Sequence, residues 1–86
     1  MSSGAIIVTG GGGGIGRAIA KRLHADGHTV VIADRDRAVA ENAASAIGCT
    51  FELIDIGDEA SVVAGVKAVA ARHGGLFGVV NNAGIH

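Results

Sequence analysis

The first chemical signal in the chain is Thr9-Gly10-Gly11-Gly12-Gly13-Gly14-Ile15-Gly16. It follows an apolar run, Ala5-Ile6-Ile7-Val8, and opens a helix-like segment over Arg17 to Asp26. Glycine permits positive φ and lets backbone amides approach a ligand closely. A helix start adds unpaired N–H donors and the positive end of the helix dipole. A strand, a turn without side chains and a helix N-terminus in succession suit a phosphate group. Two carboxylates stand where such a ligand needs further partners. Asp34 follows the second apolar run, about 20 positions beyond the last glycine, where an acidic residue accepts hydrogen bonds from a ribose. Asp55 holds the same place after the third run.

The glycines alone do not select a subtype. Gly11, Gly13 and Gly16 fit GxGxxG; Gly10, Gly14 and Gly16 fit TGxxxGxG; Gly10, Gly13 and Gly16 fit GxxGxxG. Gly11 and Gly16 also have P-loop spacing, but Arg17-Ala18 replaces the Lys-Ser/Thr that grips phosphate and magnesium. A flexible linker is disfavoured, because apolar strand and amphipathic helix flank the run without a polar buffer. The expected ligand is a dinucleotide. Asp34 repels a 2′-phosphate, which favours NAD over NADP. Arg35 is the counter-argument, since a cation there can pair with that phosphate. It lies beside a carboxylate, however, and Gly13 offers no second cation. For Asp34 and Asp55 the competing role is a turn or cap carboxylate.

These residues need a scaffold that brings strand ends together, and the hydrophobic pattern supplies one. Residues 5–9 read as a buried strand. Ile15, Ala18, Ile19 and Leu23 form one face of the first helix, with Arg17, Lys21 and Arg22 on the other and Gly27 at its end. Thr29 to Ala33 is a second strand, apolar without alternation, as in a parallel sheet covered on both faces. Asp36 is the expected N-cap of a helix over about 37–47, closed by Gly48. Thr50 to Ile54 is the third strand. Asp58 is the expected cap of a third helix striped by Val62, Val66 and Val69 and ended by Gly74-Gly75. Leu76 to Val80 leads a fourth strand into Asn81-Asn82-Ala83-Gly84. The order βαβαβαβ with short loops predicts a doubly wound parallel α/β sheet.

Composition narrows the function classes. The 86 residues are 49% hydrophobic with two Phe, no Trp and no Tyr, which suits a core of small aliphatic side chains. A formal charge of -1 offers no basic field for nucleic acid or an anionic membrane. No apolar stretch approaches a membrane span. The single Cys49 excludes an internal disulfide and fits a reducing cytoplasm. The N-terminus runs straight into a strand, leaving no room for a signal peptide. His24, His28, His73 and His86 lack Cys or carboxylate partners at ligand spacing, so no metal site is expected.

Thr9-Gly10-x-x-x-Gly14-Ile15-Gly16 together with Asn81-Asn82-Ala83-Gly84 resembles the short-chain dehydrogenase/reductase family. The resemblance implies a Rossmann-type fold with residues 1–86 as the N-terminal NAD(P)-binding part, about the first third of such a protein. It implies that Gly10, Gly13, Gly14 and Gly16 form the pyrophosphate turn and that Ile15 lends backbone near the nicotinamide. Asp34 would bind the adenosine ribose, with Arg35 beside it. Asp55 would bind the adenine amino group and the Ile56 N–H the ring. Asn81, Asn82, Ala83 and Gly84 would line the ribose and pin the fourth strand. The complete protein is expected to move a hydride between NAD(H) and a small alcohol or ketone, and to form homo-oligomers. The family's catalytic Ser, Tyr and Lys lie downstream of NNAG, and none of Ser2, Ser3, Ser45, Ser61, Lys21 and Lys67 matches them. No catalytic residue is therefore assigned. The alternative is a non-catalytic nucleotide-binding module or a truncated relative without the Ser/Tyr/Lys half.

Overall fold

A computed structural model describes residues 4–82. Strands and helices alternate throughout: β1 (Ala5–Thr9), α1 (Gly14–Ala25), β2 (Val30–Asp34), α2 (Arg37–Ile47), β3 (Thr50–Leu53), α3 (Glu59–His73) and β4 (Leu76–Asn81). The four strands form one parallel sheet in the order β3-β2-β1-β4. The chain thus winds outward from β1 to β3, then crosses back to the far side of β1. That reversal makes the doubly wound α/β arrangement, with helices on both faces.

The two faces are separate cores. Ile6, Val8, Val30 and Ile32 point to one side, where Ala20 of α1 and Ala40, Ala43 and Ala44 of α2 cover them. Ala5, Ile7, Val31 and Ala33 point to the other, against Val69 of α3, with Val62 and Val66 partly buried beside it. Alternate residues of β1 and β2 therefore serve opposite cores, which is why those strands read as unbroken apolar runs. Complete burial of a side chain such as Ile7 or Ile32 contributes about 1.5–3 kcal/mol relative to exposure. The alanines on α1 and α2 allow those helices to lie close to the sheet.

The helix termini match their sequence signals. Asp36 accepts the Val39 N–H, and Asp58 accepts those of Ala60 and Ser61. Gly48 and Gly74 take left-handed φ of 92° and 74° at the C-caps of α2 and α3.

The α1 stripe needs correction. Ile15 is 73% exposed and Ala18 is also exposed; Gly16 and Ala20 are buried instead, with Leu23 partly buried. Helix α1 begins at Gly14, three residues before the expected start, so close packing of its first turn requires a residue without Cβ. The apolar Ile15 side chain is thereby turned outward. Smaller shifts occur at the strand ends: β2 includes Asp34, β3 stops at Leu53 and β4 includes Asn81. Ala83 and Gly84 lie outside the described residues. Among those described, no helix is long and apolar enough to cross a membrane.

Candidate functional site

Every residue proposed from the sequence that falls within the described chain lies at the carboxyl ends of the strands. Across the sheet order the rim reads Asp55 after β3, Asp34 at the end of β2, Gly10 after β1, and Asn82 after β4. In an open α/β sheet this rim, at the point where the winding reverses, is where ligands settle. Here the reversal falls between β1 and β4.

The glycine turn leaves β1 sharply. Gly10 has φ 65°, donates its N–H to the Ala33 carbonyl at 2.9 Å, and accepts the Gly13 N–H at 3.1 Å. Gly13 is the N-cap of α1 and has no side chain to close it. The N–H groups of Gly14, Ile15 and Gly16 have no acceptor among the described residues. The first turn of α1 carries no acidic residue either. A Cβ on Gly14 would meet nothing within 4 Å, so the space before these donors is open. The result is a helix start with unpaired amides and the positive end of α1, the arrangement that suits an anion.

Gly16 has a different role. A Cβ there would run into the Gly10 carbonyl and stand 2.9 Å from the Asn82 amide nitrogen. Helix α1 can approach the end of β4 only because residue 16 lacks a side chain.

Asp34 faces the same turn. Its Oδ1 accepts the Asp36 N–H at 3.1 Å, and its Oδ2 lies 3.1 Å from where a Cβ on Gly12 would stand. The carboxylate is partly buried and directed across the mouth of the glycine turn. Its ligand role and its turn role thus coexist, one oxygen holding the loop and the other lying beside the glycine turn. Arg35 is exposed and makes no ion pair among the described residues. Asp55 is more committed to its own loop. It accepts the Gly57 N–H at 3.0 Å, while its backbone N–H donates to the Ser61 hydroxyl at 2.9 Å. Ile56 is 42% exposed at the same rim.

Thr9 has a structural part that its motif does not reveal. Its hydroxyl donates toward the Val80 carbonyl and Asn81 Oδ1, each at 3.2 Å, and accepts the Asn82 N–H at 3.0 Å. This clasp fixes the end of β4 against β1 and so places Asn82 beside Gly16. A buried threonine at a strand end is the only sequence signal for it.

The cavities divide between this rim and the rest. One of about 320 Å³ adjoins the rim on the α3 face, bounded by Ile7, Ile54, Ile56, Val66, Val79 and Asn81. A larger one, about 450 Å³, lies at the outer edge near Cys49, Phe51 and Arg72. It is away from the strand ends that carry the glycine turn, so we place the site at the rim. Burial pushes the Cys49 thiol above its ordinary pKa, which keeps it protonated and a poor nucleophile. His24, His28 and His73 line a third space at the opposite end of the sheet. Among the described residues no group of His, Cys, Asp and Glu is arranged to hold a metal ion.

The model of the short chain dehydrogenase family matches residues 4–86. The chain belongs to that family. It is 42% identical to a 2,5-dichloro-2,5-cyclohexadiene-1,4-diol dehydrogenase of Sphingobium indicum, across 99% of this chain and 35% of that protein. It is also 42% identical to a galactitol 2-dehydrogenase of Agrobacterium fabrum, across 92% of this chain and 32% of the relative. An actinorhodin polyketide ketoreductase variant solved with NADPH superposes with a TM-score of 0.90 at 30% identity, across 96% of this chain and 34% of that one. The chain thus spans about a third of the length of the proteins it matches.

Proposed function

We propose that residues 1–86 are the N-terminal, dinucleotide-binding portion of a longer oxidoreductase that moves a hydride between NAD(H) and an alcohol or ketone carbon. The observation that carries this reading is the uncapped N-terminus of α1 opening beside Asp34 on one rim. The free amides of Gly14, Ile15 and Gly16 hold the diphosphate, with Gly10 and Gly13 shaping the turn. Asp34 accepts the adenosine ribose hydroxyls, and its charge opposes a 2′-phosphate despite Arg35 next to it. Asp55 and the Ile56 N–H take the adenine edge. Asn82, with Ala83 and Gly84 beyond it, borders the ribose on the β4 side. The bound cofactor supplies the hydride chemistry, and this part of the protein supplies position and charge. The complete protein works in the cytoplasm as a homo-oligomer, with its catalytic Ser, Tyr and Lys downstream.

The absence of Tyr from these residues favours one alternative for the chain by itself, a binding module that does not turn over substrate. Titration of NAD and NADP into the purified chain tests the reading. NAD is expected to bind more tightly. Replacing Asp34 by Ala is expected to weaken NAD by roughly 1–3 kcal/mol, the scale of a charge-assisted hydrogen bond, and to narrow the gap to NADP. NAD affinity unchanged by Asp34→Ala, with NADP still excluded, would remove Asp34 from the site.

A further inference from the structure

Asp34 selects the ribose only if its carboxylate is held in place, and the structure shows a device that holds it. Gly12 lies against the first turn of α2. A Cβ on residue 12 would overlap a methyl group of Val39, stand 3.3 Å from the Val39 carbonyl, and stand 3.1 Å from Asp34 Oδ2. Val39 in turn donates its N–H to Asp36 Oδ1 at 3.2 Å, and the Asp36 N–H donates to Asp34 Oδ1 at 3.1 Å. Hydrogen bonds thus link Val39, Asp36 and Asp34 in series, and the space a side chain on residue 12 would fill is bounded by the two ends of that series, Val39 and the Asp34 carboxylate.

We propose that Gly12 and Val39 are positioning residues that set cofactor preference by seating Asp34. This deepens the NAD reading given above and rests on it. Without a side chain on residue 12, α2 closes against the glycine turn. Closure brings the Asp36 N–H onto Asp34 and leaves one carboxylate oxygen beside the glycine turn. A side chain on residue 12 forces either α2 or the turn to retreat. The Asp36 amide then leaves Asp34, the carboxylate gains freedom, and a 2′-phosphate no longer meets a fixed negative charge. Gly13 is the internal contrast, since a Cβ there would meet only the Gly10 carbonyl, at 3.6 Å.

Three variants separate the positioning role from a merely structural one. Gly12→Ala is expected to weaken NAD about tenfold while leaving NADP nearly unchanged, so that the NAD-to-NADP ratio of dissociation constants shifts by about the same factor. Adding Val39→Ala removes the overlapping methyl and is expected to restore the ratio to within about threefold of Val39→Ala alone. The melting temperature gives a ligand-free readout: Gly12→Ala lowers it, and the double variant recovers it. Equal loss of both dinucleotides in Gly12→Ala, or a ratio that Val39→Ala fails to restore, overturns the positioning role while the NAD reading stands. A parent chain that binds neither dinucleotide overturns the reading, and this inference with it.

Discussion

The turns after β1 and β3 make the same strand-to-helix connection with opposite chemistry. After β3, Asp58 accepts the N–H groups of Ala60 and Ser61, and Glu59 adds a second carboxylate to the first turn of α3. The end of that helix is closed by its own chain. After β1, Gly13 contributes nothing, and α1 begins with open donors and no acidic residue. The turn after β2 follows the β3 pattern through Asp36. A helix with glycine in place of a capping side chain forgoes roughly a few tenths of a kcal/mol of local stability. Among the described residues α2 and α3 keep that stabilisation, and α1, at the reversal of the sheet, does without it. The proposed anion site rests on that withheld cap, where the neighbouring helices have one.

The comparison can be broken most severely at Gly16. Gly16→Val forces a side chain into the backbone carbonyl of Gly10, which cannot give way, and against the side-chain amide of Asn82. A loss of about 3 kcal/mol is expected, enough to unfold so small a domain, and a thermal melt followed by circular dichroism checks it. A melt like that of the parent would mean that α1 does not approach β4 as described. A subtler change exchanges the two kinds of turn. Gly13→Asp gives α1 the cap that α2 and α3 already have, in an extended backbone conformation that accepts it. The free chain should gain a few tenths of a kcal/mol, while dinucleotide affinity falls by about tenfold or more, because a built-in carboxylate competes for the same amides. Calorimetric titration showing unchanged affinity would place the diphosphate elsewhere. The smallest expected effect on binding comes from the reverse experiment. Asp58→Ala should cost about 0.5–2 kcal/mol of stability yet leave affinity for NAD as it was.

The difference between these turns also explains what could be read from residues alone. Asp36, Asp58, Gly48 and Gly74 act within a few positions of themselves, so local rules located them. The four strands were legible because continuous apolar runs have few alternatives once helical segments separate them. Ile15 misled because helical periodicity says where a stripe lies but not that Gly16 must face the sheet. The division of labour among the glycines was equally hidden. Gly12 is constrained by Val39 on the next helix, and Gly16 by Asn82 at the far end of the described chain. Glycines crowded into one short stretch carry no mark of such distant neighbours. Spacing singled out Asp34, but not that its carboxylate accepts the Asp36 N–H and lies near Gly12.

The clasp made by Thr9 joins the first strand to the residue that follows the last, 73 positions away in sequence. A nascent polypeptide can assemble β1, α1 and β2 long before Asn82 emerges, yet the rim is unfinished until the hydroxyl finds its partner. NAD, if it rewards only the finished rim, gives no assistance to a shorter intermediate. Its help would arrive late and all at once, when the fourth strand locks home.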